Sequence, residues 1–211
     1  SSHFQLQLTM DSPMPELAER FELSLPAGWQ QQLPESTLTS DVDKMTFVLQ
    51  LARWNIANKS GGPFAAAVFE RETNRLIAVG VNRVVPQHCS LAHAEAMAIA
   101  LAQQSLHTHD LSTASKHGFE LFASGQPCVQ CFGMTWWSGL TRLIVGARSE
   151  DIEQLTQFCE GPLPDGWQQL LANRTPLPPV EVQMDICREH AREVLISYAQ
   201  SDGPNYSPGR S

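Results

Sequence analysis

Two short segments restrict this chain more than anything else in it: His93-Ala94-Glu95 and Pro127-Cys128-Val129-Gln130-Cys131. One imidazole and two thiolates form a borderline-soft donor set that suits zinc. With three protein ligands a fourth position stays open for water, which is how catalytic zinc sites differ from structural ones. Glu95 follows the histidine by two residues, where it can lie beside that water and carry protons without binding the metal. A Cys-x-x-Cys by itself also occurs in structural zinc sites and in redox motifs. A structural site would need a fourth protein ligand, supplied by Cys89, Cys159, Cys187 or another histidine folding back, and none of these falls at a second paired spacing.

The surrounding pattern says how such a site is assembled. Ser40 with Asp43 has the spacing of a helix cap, and Val42, Met45, Leu49, Ala52 and Ile56 recur at helical intervals, so a helix follows. Gly61-Gly62-Pro63 breaks it. Phe64 to Phe69 and Leu76 to Val81 read as a β-hairpin turning at Glu72-Thr73-Asn74. An alanine-rich helix from about Leu91 to Gln104 carries the histidine near its start. After a strand at Phe119 to Ala123, Pro127 opens the next helix and places both cysteines in its first turn, where backbone N–H groups favour thiolates. Two helix N-termini thus converge on the metal. A strand at Arg142 to Gly146, a short helix around Asp151 to Phe158, a proline-rich loop from 161 to 179, a strand at Val180 to Met184 and a helix from Asp185 to Tyr198, capped by an acidic residue, complete the chain. The expected architecture is α/β: a three-layer α-β-α sandwich around a mixed five-stranded sheet.

The chain has 211 residues and 42% apolar content, enough for one well-buried domain. We expect an arm over residues 1–40, a domain over 41–200 and a tail over 201–211. The formal net charge of -8, with no run of Lys and Arg, argues against nucleic acid as a partner and for a small, weakly charged substrate. No apolar run is long enough for a membrane span. The odd count of five cysteines and the lack of a signal-peptide pattern point to the cytoplasm.

From Gly61 to Glu160 the sequence resembles the cytidine deaminase-like superfamily, and within it the bacterial guanine deaminases, with the tRNA adenosine deaminases as near neighbours. The resemblance is carried by Gly61-Gly62-Pro63-Phe64-Ala65-Ala66, Asn82, His93-Ala94-Glu95 and Pro127-Cys128-x-x-Cys131. It implies one zinc ion per subunit held by His93, Cys128 and Cys131, and hydrolytic deamination of a free purine base, guanine to xanthine and ammonia, with Glu95 as proton shuttle. It further implies that Asn82, with Phe64 and Ala65, contacts the base, that Trp137 lines the pocket, and that Phe158-Cys159-Glu160 supplies a second proton carrier in Glu160. By the same resemblance the tail, with Tyr206, covers the site in a homodimer that exchanges tails. The sequence departs from the family pattern at Gln126, where glutamate is common, and between the cysteines, where Val129-Gln130 stands in place of an apolar pair. A tRNA adenosine deaminase, a cytidine or deoxycytidylate deaminase, and a zinc-stabilised binding module remain the competing readings.

Overall fold

The computed structural model describes residues 16–209; the first part of the arm and the last two residues of the tail, expected above, lie outside the described residues. Helix α1 spans Asp41–Ala57. Ser40 caps it, its Oγ accepting from the Asp43 N–H at 3.0 Å while Asp41 and Asp43 complement the positive helix end. The buried stripe includes Met45, Leu49 and Ala52 as expected, but Val42 is 56% exposed. The helix is rotated because Lys44 is drawn inside: its Nζ meets Glu120 at 2.6 Å and Asn74 at 2.7 Å and lies over the Phe69 and Phe122 rings. A buried ammonium is tolerated only when paired and hydrogen-bonded in this way.

Strands β1 (Ala65–Glu70) and β2 (Leu76–Val81) form the hairpin, with Asn74 at φ 58° in its turn. Strand β3 (Phe119–Gly125) pairs antiparallel with β1, and β4 (Arg142–Ala147) and β5 (Glu181–Gln183) then add in parallel, giving the order β2-β1-β3-β4-β5. The mixed five-stranded sheet is the expected one. β1 and β3 are buried along their whole length because both sheet faces are covered.

On one face lie α1 and α6 (Arg188–Ala199), packing Met45, Val48, Val194 and Leu195 against Phe122 and Ile144. On the other lie α2 (Ala94–Ser105) and α3 (Val129–Trp137), over Ala66, Val68, Leu121 and Leu143. The small side chains of α2 allow backbone-to-backbone approach: a Cβ at Gly80 of β2 would overlap the Ala94 carbonyl. That approach seats the start of α2, and His93 with it, at the end of the sheet.

Three expectations are corrected. The 161–179 stretch is not irregular: α5 (Trp167–Ala172) buries Leu171, and Arg174 donates to the Trp136 and Pro178 carbonyls. Helix α4 runs Ser149–Thr156, two residues earlier than expected, ending at Gln157 in a left-handed conformation. Helix α6 starts at Arg188 and Asp185 does not cap it; the Asp185 carboxylate is taken by Arg148 at 2.8 and 2.7 Å. In the arm, Leu25, Trp29 and Leu38 pack on the α1 side of the core. No helix among the described residues is long and apolar enough to cross a membrane.

Candidate active site

His93 and Cys128 are the N-caps of α2 and α3, with extended backbone at φ/ψ of -69/152° and -71/176°. They therefore precede their helices, where the sequence reading placed them just inside. The extended cap turns each side chain across the helix mouth, and Cys131, in the first turn of α3, is buried beside them. His93 Nδ1 lies 3.5 Å from Cys128 Sγ and 3.6 Å from Cys131 Sγ. The three donor atoms fall within 4.8 Å of one another. A tetrahedral zinc with ordinary Zn–N and Zn–S bonds needs N···S edges of about 3.6 Å, so donor chemistry and spacing both fit one zinc ion.

Charge at the site is strongly shaped by burial. Glu95, 8% exposed, is pushed up to about 7 by desolvation, which the positive His93 only partly offsets. Desolvation also carries Glu160 up to about 8, helped by negative charge on Cys128 and Glu95. The Cys131 thiol hydrogen-bonds Cys128 and, with His93, holds it down to about 4, while Cys131 itself is pushed up as the proton-bearing partner. Burial opposes protonation of His93, but Cys128 and Glu95 outweigh it and raise it. A cation in the triad replaces the proton that these sulfurs share and draws both carboxyls downward.

A cavity of about 30 Å³ adjoins His93, Cys128 and Glu95. Phe64, Asn82, Glu160 and Tyr206 also line it. Asn82 is held by its backbone N–H to the Phe64 carbonyl at 2.9 Å, and its Oδ1 accepts from Val84 N–H at 3.3 Å, which leaves Nδ2 as the group available to a ligand. Phe158 stands one layer back, packed on Phe64 and Tyr206 with centroids 5.9 and 4.6 Å apart. Ala65 does not line the cavity; it is buried in β1, its N–H on Ser124 Oγ at 3.1 Å. Trp137 is not brought to the site at all: it is 79% exposed at the end of α3, on the outward face, because the indole that turns inward under Arg174 is Trp136. The sequence reading missed Gln126 as a lining residue, although its departure from the family pattern was the signal that could have found it. Its Oε1 accepts from Ser149 N–H at 3.3 Å, tying the end of β3 to the start of α4.

The tail closes this cavity from above. Asn205 Nδ2 donates to the Gln157 carbonyl at 3.1 Å, Cys159 N–H donates to Ser207 Oγ at 3.2 Å, and Tyr198 Oη donates to the Pro204 carbonyl at 2.6 Å. Within one chain, then, the tail covers its own site, whereas the resemblance implied exchange with a partner. The Tyr206 hydroxyl is buried without a hydrogen-bond partner.

Comparison with known proteins agrees with this geometry. Residues 38–147 match the cytidine and deoxycytidylate deaminase zinc-binding region. The structure of guanine deaminase from Nitrosomonas europaea is similar at 42% identity and TM-score 0.80, covering 89% of this chain and all (100%) of that one. NE0047 in complex with 2,6-diaminopurine is similar at 43% identity and TM-score 0.79, over 88% of this chain and 96% of that one. The "Probable cytosine deaminase" of Schizosaccharomyces pombe is 33% identical over 45% of this chain and 53% of its own length, so the chain spans about half the length of the curated relatives it matches. With the triad, the neighbouring Glu95 and the family match in agreement, this chain belongs to the cytidine and deoxycytidylate deaminase zinc-binding family.

Proposed function

We propose that the protein is a zinc-dependent aminohydrolase that converts guanine and water to xanthine and ammonia. The observation that carries this reading is the buried Glu95 and the half-buried Glu160 lining one cavity with His93 and Cys128 of the triad. Zinc, when bound, supplies Lewis-acid activation of water. Glu95 accepts the proton as the water oxygen forms its bond to the base carbon bearing the exocyclic amine, then delivers it to the adjacent ring nitrogen. As the carbon–nitrogen bond breaks, Glu160 protonates the departing amine and is restored by the proton of the new hydroxyl, which leaves as the carbonyl forms. Asn82 orients the base by donating from Nδ2, and Phe64 supplies an apolar wall. Guanine is favoured over other bases by the similarity to guanine deaminase at 42% identity over nearly the whole fold.

Tyr206 serves as both lid and ligand in this reading. A cavity of about 30 Å³ has room for only a water or two, so a base enters when the tail lifts. On the far side of Tyr206 lies a cleft of about 290 Å³ between Ile56, Val85, Pro86 and the tail, which offers a route in. Once the tail has closed, a polar atom of the base satisfies the otherwise unpartnered hydroxyl. The outer face of α3, with Val129 at 55% and Trp137 at 79% exposure, supports homodimer formation, and the exchange of tails implied by the resemblance would present the same Tyr206 contacts from the partner. The acidic balance supports a small-molecule substrate.

The deciding experiment is ammonia release by the zinc-loaded protein from guanine, adenine, cytosine, their nucleosides and a tRNA transcript. Release from guanine is the expected result; release only from cytosine, cytidine or tRNA would discard the substrate and keep the chemistry.

A further inference from the structure

We propose that Asn55, on the last turns of α1, is a positioning residue that sets the affinity for the base by holding Asn82 and the seat of Tyr206 together. The side chain is fully buried and lies outside the cavity, yet its amide joins three segments. Its Nδ2 donates to the Gly62 carbonyl at 2.9 Å and to the Asn82 carbonyl at 3.0 Å, and its Oδ1 accepts from Ser60 Oγ at 2.7 Å. The orientation of the amide follows from its surroundings, since two carbonyls need donors and a hydroxyl can supply the remaining proton. All of its hydrogen-bonding capacity within reach is thereby used on backbone or on the Ser60 anchor.

What the amide holds is the substrate side of the site. The Asn82 peptide is pinned at both ends, by its N–H on Phe64 and by its carbonyl on Asn55, and its side chain projects from that peptide into the cavity. Gly61 crosses so close that a Cβ there would overlap the Asn82 carbonyl oxygen and press on Asn55 Nδ2. Gly62, the second carbonyl held, lies directly beneath the Tyr206 hydroxyl. One side chain thus fixes the distance between the base-reading asparagine and the closing tyrosine without touching either side chain. No comparable bond runs from Asn55 to His93, Glu95 or the cysteines. The inference rests on the deaminase reading above for the identity of the ligand, and its consequence is a split: affinity depends on Asn55, whereas proton transfer does not.

The test is a double-mutant cycle between Asn55→Asp and Asn82→Ala, with kcat and KM for guanine, the dissociation constant for 8-azaguanine and the zinc content measured for each protein. Asn55→Asp keeps the shape but replaces two donors by acceptors facing carbonyls, so KM and the dissociation constant should rise by roughly tenfold or more. Zinc content should stay at one per chain and kcat should change by less than about threefold. In the Asn82→Ala background the same substitution should have a smaller effect on KM, and what remains passes through the Tyr206 seat at Gly62. Because Asn55→Asp buries a carboxylate and can fail to fold, Ser60→Ala, which removes the hydroxyl bonded to the Asn55 amide oxygen and backbone carbonyl, is measured alongside and should raise KM several-fold. Effects that multiply independently in the cycle, a fall in kcat with unchanged KM, or a Ser60→Ala protein identical to wild type would overturn the role assigned to Asn55. Wild-type protein inactive on guanine but active on another base would instead overturn the substrate reading, and the cycle is then read on that base.

Discussion

The zinc side and the base side of the cavity are built by different means. On the zinc side, His93 and Cys128 cap helices that rest on the sheet, and Cys131 is wholly buried, so every ligand is positioned by regular secondary structure. On the base side, Asn82 starts a loop, Glu160 lies in another, and Tyr206 belongs to the tail, held by a few hydrogen bonds and by ring contacts with Phe158. Sites carried on rigid elements keep reacting groups in register, while loops that open and close admit the substrate. Regular elements therefore carry the metal ligands and Glu95, while loops and the tail carry Glu160 and the proposed base contacts.

Removing the metal tests the first half most severely. Chelation should abolish turnover, and the far-ultraviolet circular dichroism should stay close to that of the loaded protein, because the helices carrying the ligands are anchored by core packing. Collapse of that signal on chelation would mean that the metal organises the fold. Next in size, Glu95→Gln should lower kcat by roughly a hundred- to ten-thousandfold with zinc still bound; a variant with near-normal kcat would remove the proton-carrier role from Glu95.

The base side should respond more gently and in KM. Truncation after Tyr198 deletes Tyr206 and the tail contacts and should raise KM strongly or abolish activity, whereas Tyr206→Phe removes only the hydroxyl and should raise KM by about fivefold to tenfold. Equal kinetics for wild type and truncated protein would take the lid out of the mechanism. The smallest effect lies away from the cavity. Asp151, 1% exposed, is raised by burial but is held down to about 2 overall, against 3.8 for an ordinary aspartate, by Arg188, the Arg148 N–H and Arg192. A depressed carboxyl contributes stability above its unfolded value, and that contribution is lost as pH falls from about 4 towards 2. Unfolding free energy should decline across that window in wild type, with a shallower slope in Asp151→Asn; identical slopes would show that this clamp between α4 and α6 does not govern acid stability.

Legibility followed the same division. The hairpin, the five strands and the helices beside the metal were readable because their signals are local: apolar alternation, a cap at Ser40, a proline before Cys128. α5 was missed because its six residues sit among prolines and owe their helix to burial of Leu171 and to Arg174 reaching Trp136. Trp137 was misplaced because adjacent residues on a helix point about 100° apart, and spacing from Cys131 could not tell which tryptophan turns inward. Asn55 carried no signal of its own, since it became a buried clamp only through distant backbone, and the departure at Gln126 did not by itself say that this residue lines the cavity.

By itself, the sequence determined the ligand set, the proton carrier beside it and the sheet that supports them, because donor chemistry and helix starts are written within a few consecutive residues. Only the tertiary structure decided which side chains line the cavity beside the ligand set. That choice depends on helix rotation, on loop closure and on a tail brought from the far end of the chain, and each is settled by packing between segments that have no fixed spacing in sequence.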